Sequence, residues 1–215
     1  MGHPTWPLYD IVVTTPRLEL RLPTEAEWIE LISQADERIY ESVGFLPFHT
    51  DWPGDGPGAM KFMYSARANW QPDAWNFTLC TFVDGRPVGV QGLGARDFGV
   101  VRGVSTGSWL LPDAQGHGIG TEMRTAVLHF AFVGLDALEA HSQAHVDNHG
   151  SNRVSQALGY EVTHREGARF GDDRAESYKL VLRRDVWEQH SAHQRDDIAI
   201  EGLDGKLDWF VASAE

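Results

Sequence analysis

The stretch Gln115-Gly116-His117-Gly118-Ile119-Gly120-Thr121 decides the fold. Pro112 ends an apolar strand pattern just before it, and an amphipathic helical pattern follows, with an apolar stripe at Ile119, Met123, Ala126, Val127 and Phe130. Several backbone N–H groups therefore converge on a helix N-terminus, where the helix dipole also favours an anion. The stretch predicts a cradle for a diphosphate. A tight turn that needs glycine only for its positive φ angles is the alternative.

Two other phosphate-binding loops do not fit this stretch. A Walker loop requires Gly-Lys-Ser/Thr, and no lysine occurs here. A Rossmann loop carries Gly-x-Gly-x-x-Gly directly after the first strand, whereas several strand patterns precede these glycines.

Strand and helix patterns surround the glycine-rich stretch. Thr24 and Glu27 form a capping box for a helix, and Asp84-Gly85 is typical of a tight hairpin turn. The predicted strands cover residues 17–22, 77–83, 86–93, 105–111, 137–146, 160–164 and 176–182, and further helices cover residues 59–70 and 151–158. This order predicts an α/β (α+β) fold: a mixed layer of strands with a parallel pair in the middle, flanked by helices.

Composition limits the classes of function. The 215 residues are 42% hydrophobic and include 8 Trp and 10 Phe, which allows a large core and excludes disorder for most of the chain. The formal charge of −13 argues against nucleic acid as the main partner. The single cysteine, Cys80, excludes a disulfide framework and a multi-cysteine zinc site, and fits a reducing compartment. With no signal-peptide pattern and no apolar run long enough to span a bilayer, we expect a cytoplasmic protein without a membrane partner.

Four motifs in the correct order resemble the GCN5-related N-acetyltransferase (GNAT) superfamily, and within it the RimJ/RimL-like branch. They are the Gln-x-x-Gly-x-Gly loop at 115–120, the strand Thr15-Pro-Arg-Leu-Glu-Leu-Arg21, the strand Gly107-Ser-Trp-Leu110, and Asn148-x-x-Ser151 followed by Leu158-Gly-Tyr160. The resemblance covers residues 11–183. Trp6-Pro-Leu-Tyr-Asp10 and the block 115–132 also resemble a mycobacterial member that depends on succinyl-CoA, which leaves the acyl group open.

The resemblance implies a single-domain GNAT fold, with a twisted, mostly antiparallel sheet and a splayed parallel pair. It also implies transfer of an acetyl or succinyl group, without a metal, from acetyl-CoA or succinyl-CoA to a primary amine. That amine would be a protein or peptide N-terminus or a small molecule. The implied cofactor contacts are Gln115, Gly116, His117, Gly118, Ile119, Gly120 and Thr121 at the diphosphate, Leu110 and Leu111 beside the pantetheine arm, and Asn148 and Ser151 near the thioester.

The catalytic residues follow less directly from the resemblance. Ser151 would protonate the departing thiolate, as the matching serine does in RimL-like enzymes. Ser155 is the second candidate, because many superfamily members place a tyrosine there. The acidic residue that the branch places before its Gly-x-Trp-Leu motif falls at Ser105, which cannot act as a base. The base is therefore open, with candidates Asp97, His49 and His145, or ordered water alone.

Other readings of the same residues are weaker. Gly103-x-Ser105-x-Gly107 fits the nucleophile elbow of hydrolases, but a strand continues where that elbow needs a helix. On a strand, His141 and His145 lie about 13 Å apart at roughly 3.3 Å per residue, too far for one metal ion. The rival from a different class is a non-catalytic acyl-CoA-binding protein that kept the cradle and lost the base.

We expect an acyltransferase domain over residues 1–184 and a C-terminal extension over residues 185–215. The sequence of the extension predicts a short helix and a hairpin near Asp204-Gly205, and we expect the extension to pack on the domain. Residues 44–58 are rich in Pro, Gly and aromatic residues, which is typical of a binding lid. This loop and the extension could form the interface of a homodimer.

Overall fold

A nine-stranded sheet lies at the centre of the structure. The computed structural model describes residues 3–40, 55–170 and 173–212. Within them the strands are β1 Val12–Thr14, β2 Glu19–Arg21, β3 Trp75–Val83, β4 Arg86–Ala95, β5 Gly103–Leu110, β6 Glu139–His145, β7 Glu161–Phe170, β8 Asp173–Arg183 and β9 Ala199–Glu201. They pair in the order β7-β8-β6-β5-β4-β3-β2-β1-β9. Only β5 and β6 run parallel among these neighbours, which confirms the predicted mixed, mostly antiparallel sheet.

Six α-helices flank the sheet in the described part of the chain. They are α1 Glu25–Ser33, α2 Gly56–Ala68, α3 Phe98–Val101, α4 Ile119–His129, α5 His149–Ala157 and α6 Arg184–Gln189. One π-helical turn, Phe130–Gly134, continues α4. No helix among the described residues is long and apolar enough to cross a membrane.

Local sequence signals set two of these elements. The predicted capping box starts α1: Thr24 Oγ1 accepts the Glu27 N–H at 3.3 Å, and Glu27 Oε2 accepts the Thr24 N–H at 2.8 Å. Asp84 and Gly85, with φ angles of 49° and 75°, form the predicted hairpin turn between β3 and β4. Both features follow from short-range chemistry, so the sequence predicts them well.

Each face of the sheet is covered by different helices. The predicted apolar stripe of α4 is buried in the larger core cluster, on the same face as Leu93 and Val104. The opposite face packs against α1 and α2 through Trp28, Cys80 and Val90. Trp28 Nε1 also donates to the Ala59 carbonyl of α2 at 3.2 Å. The start of α4 and the α1–α2 pair therefore approach the middle strands from opposite sides.

The C-terminal residues are part of the sheet and of its core. β9 pairs antiparallel with β1, and Phe210 is fully buried. Trp75 Nε1 donates to the Phe210 carbonyl at 2.9 Å. The predicted short helix is α6, but the predicted hairpin at Asp204-Gly205 is wrong. The strand before that turn pairs with β1, and the residues after it, Leu207–Trp209, form a 3-10 turn.

Candidate functional site

The parallel strands β5 and β6 separate at one end. Their pairing runs from Gly103 opposite Glu139 to Thr106 opposite Ser142 and ends there. Both strands continue beyond that pair, still bound to their outer neighbours β4 and β8. Their facing edges past Thr106 and Ser142 therefore form a V-shaped gap, which we call the splay.

Backbone groups of β5 line the splay. The Leu111 N–H donates to the Val88 carbonyl of β4 at 2.8 Å. The Leu111 carbonyl also accepts a hydrogen bond from another residue of the chain. Because successive residues direct their backbone groups to opposite edges of a strand, those of Ser108 and Leu110 point toward the splay. The Leu110 carbonyl accepts the Gln115 side-chain amide at 3.1 Å, so the Leu110 N–H and both groups of Ser108 remain. The N–H of Leu111, which the resemblance implies as a pantetheine contact, is bound to β4 and does not face the splay.

The glycine turn lies beside the splay and faces open space. Gly116 and Gly118 have φ angles of 78° and 77°. A Cβ at Gly116 would meet no atom within 4 Å, and a Cβ at Gly118 would meet only Arg17 Nη2, at 3.5 Å. Gly120 lies next to Leu110 of β5, since a Cβ there would be 3.6 Å from that side chain. The turn is thus not buried against protein.

The start of α4 offers unbound donors to an anion. The Glu122 N–H donates to the Gly118 carbonyl at 3.1 Å, which is the first i to i−4 bond of the helix. The N–H groups that precede Glu122 in the first turn have no helical partner by geometry. Ile119, Gly120 and Thr121 therefore present their amides at the positive end of the helix dipole.

Two side chains, Gln115 and Arg17, fix the shape of the turn. Gln115 Nε2 donates to the carbonyls of Ile39 and Leu110, at 3.0 and 3.1 Å, so this side chain is used inside the protein. Arg17 Nη1 donates to the His117 carbonyl at 3.2 Å, and Arg17 Nε donates to Glu122 Oε2 at 2.7 Å. The Arg17 side chain remains about half exposed, so a cation lies beside the cradle.

Sequence reasoning missed a buried arginine below the splay. Arg124 of α4 is only 3% exposed, and it donates to Ser108 Oγ of β5 at 3.0 Å and to Ser142 Oγ of β6 at 3.3 Å. A third bond goes to Gln91 Oε1 of β4 at 3.3 Å. In the described part of the chain its partners are neutral. The Arg124 guanidinium thus bridges β5 and β6 where their pairing ends. The sequence pattern of α4 does not predict this bridge.

The first turn of α5 stands on the β6 side of the splay. Asn148 Oδ1 accepts the Ser151 N–H at 3.0 Å, which caps the helix and leaves the Asn148 NH₂ group for another partner. Ser151 is half-buried. Ser155 is fully buried, and its Oγ has no hydrogen-bond partner among the described residues. Of the two predicted proton donors, Ser151 is the one that a ligand can reach.

A cavity of about 1230 Å³ lies on the α1–α2 face of the sheet. Its walls include Trp28, Phe62 and Trp109. Its floor consists of small or polar residues of β3, β4 and β5, namely Asn76, Thr78, Gly92, Gly94, Gly103, Ser105, Thr106, Gly107 and Ser108. Because Thr106 to Ser108 also mark the start of the splay, the cavity and the splay meet there.

Two of the predicted bases, Asp97 and His145, are described by the structure and do not line this cavity. Asp97 is exposed at a φ of 51° between β4 and α3, outside the lining residues. His145 Nδ1 accepts the Asp147 N–H at 3.1 Å at the far end of β6. His49 and most of the predicted lid lie outside the described residues. Asp97 and His145 stay predictions without a contact to the cavity.

Ser105 and His141 do line the cavity, side by side on β5 and β6. Ser105 Oγ lies 3.2 Å from the Gly94 carbonyl, in the middle of a strand. That position excludes the hydrolase elbow, which needs a strand-to-helix turn. Within the described residues, no three His, Cys, Asp or Glu side chains come together as a metal site requires.

Comparison with known proteins connects this geometry to one family. The family model described as an acetyltransferase (GNAT) domain matches residues 17–161. Similar solved structures include Mycobacterium smegmatis RimJ in complex with CoA-disulfide, with 18% identity, a TM-score of 0.69 and coverage of 87% of this chain and 93% of that chain.

Two further structures have the same fold. RimL, a ribosomal L7/L12 alpha-N-protein acetyltransferase in complex with coenzyme A, has 20% identity and a TM-score of 0.67 over 81% of this chain and 99% of that chain. The microcin C7 self-immunity acetyltransferase MccE, in complex with acetyl-CoA and AMP, has 15% identity and a TM-score of 0.67 over 78% of this chain and 93% of that chain.

Proposed function

Because the chain belongs to the GNAT acetyltransferase family, we propose that it transfers an acyl group from a coenzyme A thioester to a primary amine. One observation carries the proposal: an open glycine turn at the start of α4 lies beside a splay that leads to a large cavity. A diphosphate at the turn and a thioester in the splay would bring the acyl group to the cavity. The amine would enter from the cavity.

The cofactor contacts follow from the groups that the protein itself leaves unbound. The amides of residues 116–121 would bind the diphosphate, with Arg17 as a nearby cation. The Leu110 N–H and the backbone of Ser108 would pair with the pantetheine amides as an added strand does. The Asn148 NH₂ group would bind the arm near the thioester.

The proposed reaction is a direct attack in a ternary complex. The neutral amine nitrogen forms a bond to the thioester carbonyl carbon, the C–S bond breaks, and coenzyme A leaves as a thiolate. The Ser151 hydroxyl gives its proton to that sulfur and regains one from solvent, while the proton of the amine goes to a base. A covalent acyl-enzyme is not expected, because burial raises the pKa of the Cys80 thiol to about 12.

A panel of donors and amines would identify the acyl group and the acceptor. Acetyl-CoA and succinyl-CoA are each offered with phenethylamine, glucosamine, and alanyl and seryl tripeptide amides. Release of free thiol is followed with a thiol reagent in the native protein. Cys80 is fully buried and is the only cysteine, so the protein itself should give no signal. Thiol release that depends on the amine supports the transferase.

The second candidate is an acyl-CoA-binding protein without catalysis, which the absence of a carboxylate at Ser105 favours. Tight binding of acetyl-CoA with no thiol release for any amine would support that protein instead. The two candidates share the cradle and differ only in turnover.

Gly118→Trp tests the cradle. The substituted side chain would occupy the space where the diphosphate is expected, and we predict a loss of CoA affinity of at least about 100-fold, or about 2.7 kcal/mol. Gly85→Trp is the matched control, since Gly85 has a similar φ of 75° in the β3–β4 turn and an added Cβ there would meet no atom within 4 Å. Calorimetric titration with CoA measures both. Equal affinity in the two variants would remove the cradle from the proposal.

A further inference from the structure

We infer that His141 accepts the proton of the amine in the proposed transfer, with Glu139 as its positioning residue. The inference rests on the proposed function and supplies the base that the resemblance leaves open. It starts from the side chains that surround the cavity.

Only one described lining residue suits this role. The titratable side chains among the described lining residues are Asp55, Arg96 and His141. Arg96 is a guanidinium and cannot give up its proton in a protein. Asp55 accepts the Gly58 N–H at 2.9 Å as the N-cap of α2. His141 is about half exposed, and a neutral imidazole has one ring nitrogen that can accept a proton.

The position of His141 suits a base for this reaction. It lies opposite Ser105 on β5, and the next pair, Thr106 and Ser142, is the last before the splay opens. The ring lies next to Gly103, since a Cβ there would be in van der Waals contact with His141 Nε2, at 3.6 Å. Members of the branch place an acidic residue at the position of Ser105. In this chain the imidazole of His141, on the neighbouring strand, takes the place of that carboxylate.

Charged residues of β6 and β8 lie beside the ring. Glu139 Oε2 lies 3.3 Å from His141 Nε2, two residues away on the same face of β6. At this distance the carboxylate contacts the ring and limits its orientation, which makes Glu139 the positioning residue. Arg183 of β8 lies on the far side of Glu139, with Nε 3.6 Å from Oε1, and is itself bound to Glu161.

The other elements around the ring add few charges. Lys179 of β8 is held by Gln143 and Glu166, at 2.5 and 3.0 Å. β5 contributes Gly103 and Ser105, and α3 contributes Val101, none of which titrates in the accessible range. Arg96 is the further cation that lines the cavity.

The proposed step balances with the acyl transfer. The amine nitrogen gives one proton to the unprotonated ring nitrogen of His141, directly or through one water, as its lone pair forms the bond to the carbonyl carbon. The products are the amide, the free thiol protonated by Ser151, and imidazolium, which then returns its proton to solvent.

The test compares His141→Gln with a matched pair elsewhere on the sheet. His164 and Glu166 of β7 form a similar His–Glu pair, at 3.9 Å, outside the lining of the cavity. With the best acceptor of the panel, we expect His141→Gln to lower kcat by about 100-fold and His164→Gln to leave it unchanged. CoA affinity should be the same in both variants.

Two readouts separate proton transfer from a structural role. The wild-type kcat/KM should show an acid limb that is absent in His141→Gln, where only the ionisation of the amine itself remains. Added imidazole should restore part of the rate of His141→Ala. Glu139→Ala should lower kcat by less than His141→Gln does, and Glu139→Gln, which keeps the length of the side chain, should recover part of that loss.

The outcome that contradicts this inference differs from the one that contradicts the proposed function. Unchanged kcat in His141→Gln, or an unchanged pH limb, would overturn the inference while the transferase stands. No turnover with any amine, despite CoA binding by the wild type, would overturn the proposed function and this inference with it.

Discussion

Ser151 and Ser155 belong to the same helix face, yet their surroundings differ. Ser151 is half-buried in the first turn beside the splay, and Ser155 is fully buried without a partner. We predict that Ser151→Ala lowers kcat by about 100-fold or more with little change in CoA affinity, because the thiolate loses its proton donor. Steady-state kinetics and CoA titration measure the two effects.

Ser155→Ala is the control for this prediction. Among the described residues the buried Ser155 hydroxyl has no hydrogen-bond partner, so its removal breaks no hydrogen bond there, and rate and stability should both stay near the wild-type values. A loss of rate in Ser155→Ala together with an unaffected Ser151→Ala would transfer the role of proton donor to Ser155.

At the scale of elements, α1 carries Trp28 to the cavity, and its capping box fixes where the helix begins. Thr24→Ala removes the hydroxyl that accepts the Glu27 N–H, and we predict a loss of about 1 kcal/mol in the free energy of unfolding. Urea unfolding at neutral pH measures it. Ser33→Ala, at the exposed C-terminal end of the same helix, should change stability by less than about 0.5 kcal/mol. Similar losses in both variants would show that the box is not what stabilises the start of α1.

The other half of the box is charged at neutral pH. A hydrogen bond from Arg21 holds the pKa of Glu27 at about 2, below its ordinary value of 4.5, despite the opposing effect of burial. A lowered pKa stabilises the fold above pH 4.5, and this contribution is lost as pH falls toward 2. The effect of Thr24→Ala should therefore be measured above that range.

Elements with local causes were predictable from the sequence. The glycine turn, the α4 stripe, the capping box and the Asp84-Gly85 hairpin depend on residues close together in the chain, and the structure contains all four. β1 was not predicted, because three residues give too short a pattern. The bridge from Arg124 to Ser108 and Ser142 depends on strand register, which the sequence does not give.

The same limit applies to the candidate site. Sequence patterns placed the open glycine turn before α4 and Ser151 in the first turn of α5, because each position depends on residues within one strand–turn–helix unit. They did not locate the cavity, nor the pairing of Ser105 with His141, which requires the parallel register of β5 and β6. In the sequence, His141 is one polar residue of a predicted strand. Only the pairing of β6 with β5 places it beside Ser105.

At the scale of the whole molecule, the C-terminal residues join the domain that they follow. Phe210 is fully buried, and its ring centroid lies 5.1 Å from that of Trp75 and 5.6 Å from that of Phe77, both on β3. Because Trp75 also lines the cavity, the end of the chain supports the candidate site from the opposite side of the sheet. The expected division at residue 184 therefore separates parts that share one core.

Phe210→Ala tests whether this shared core matters for stability. Deleting a fully buried phenyl ring leaves a cavity among large aromatic side chains that cannot easily collapse, so we predict a loss of about 3–5 kcal/mol. Leu207→Ala, at a residue of the same segment that is 49% exposed, should cost less than about 0.5 kcal/mol. Urea unfolding followed by tryptophan fluorescence measures both, since Trp70 and Trp75 contact the ring. A loss below about 1 kcal/mol in the free energy of unfolding of Phe210→Ala would contradict this prediction. It would mean that the extension packs on the surface of the domain and that the aromatic cluster is stable without Phe210.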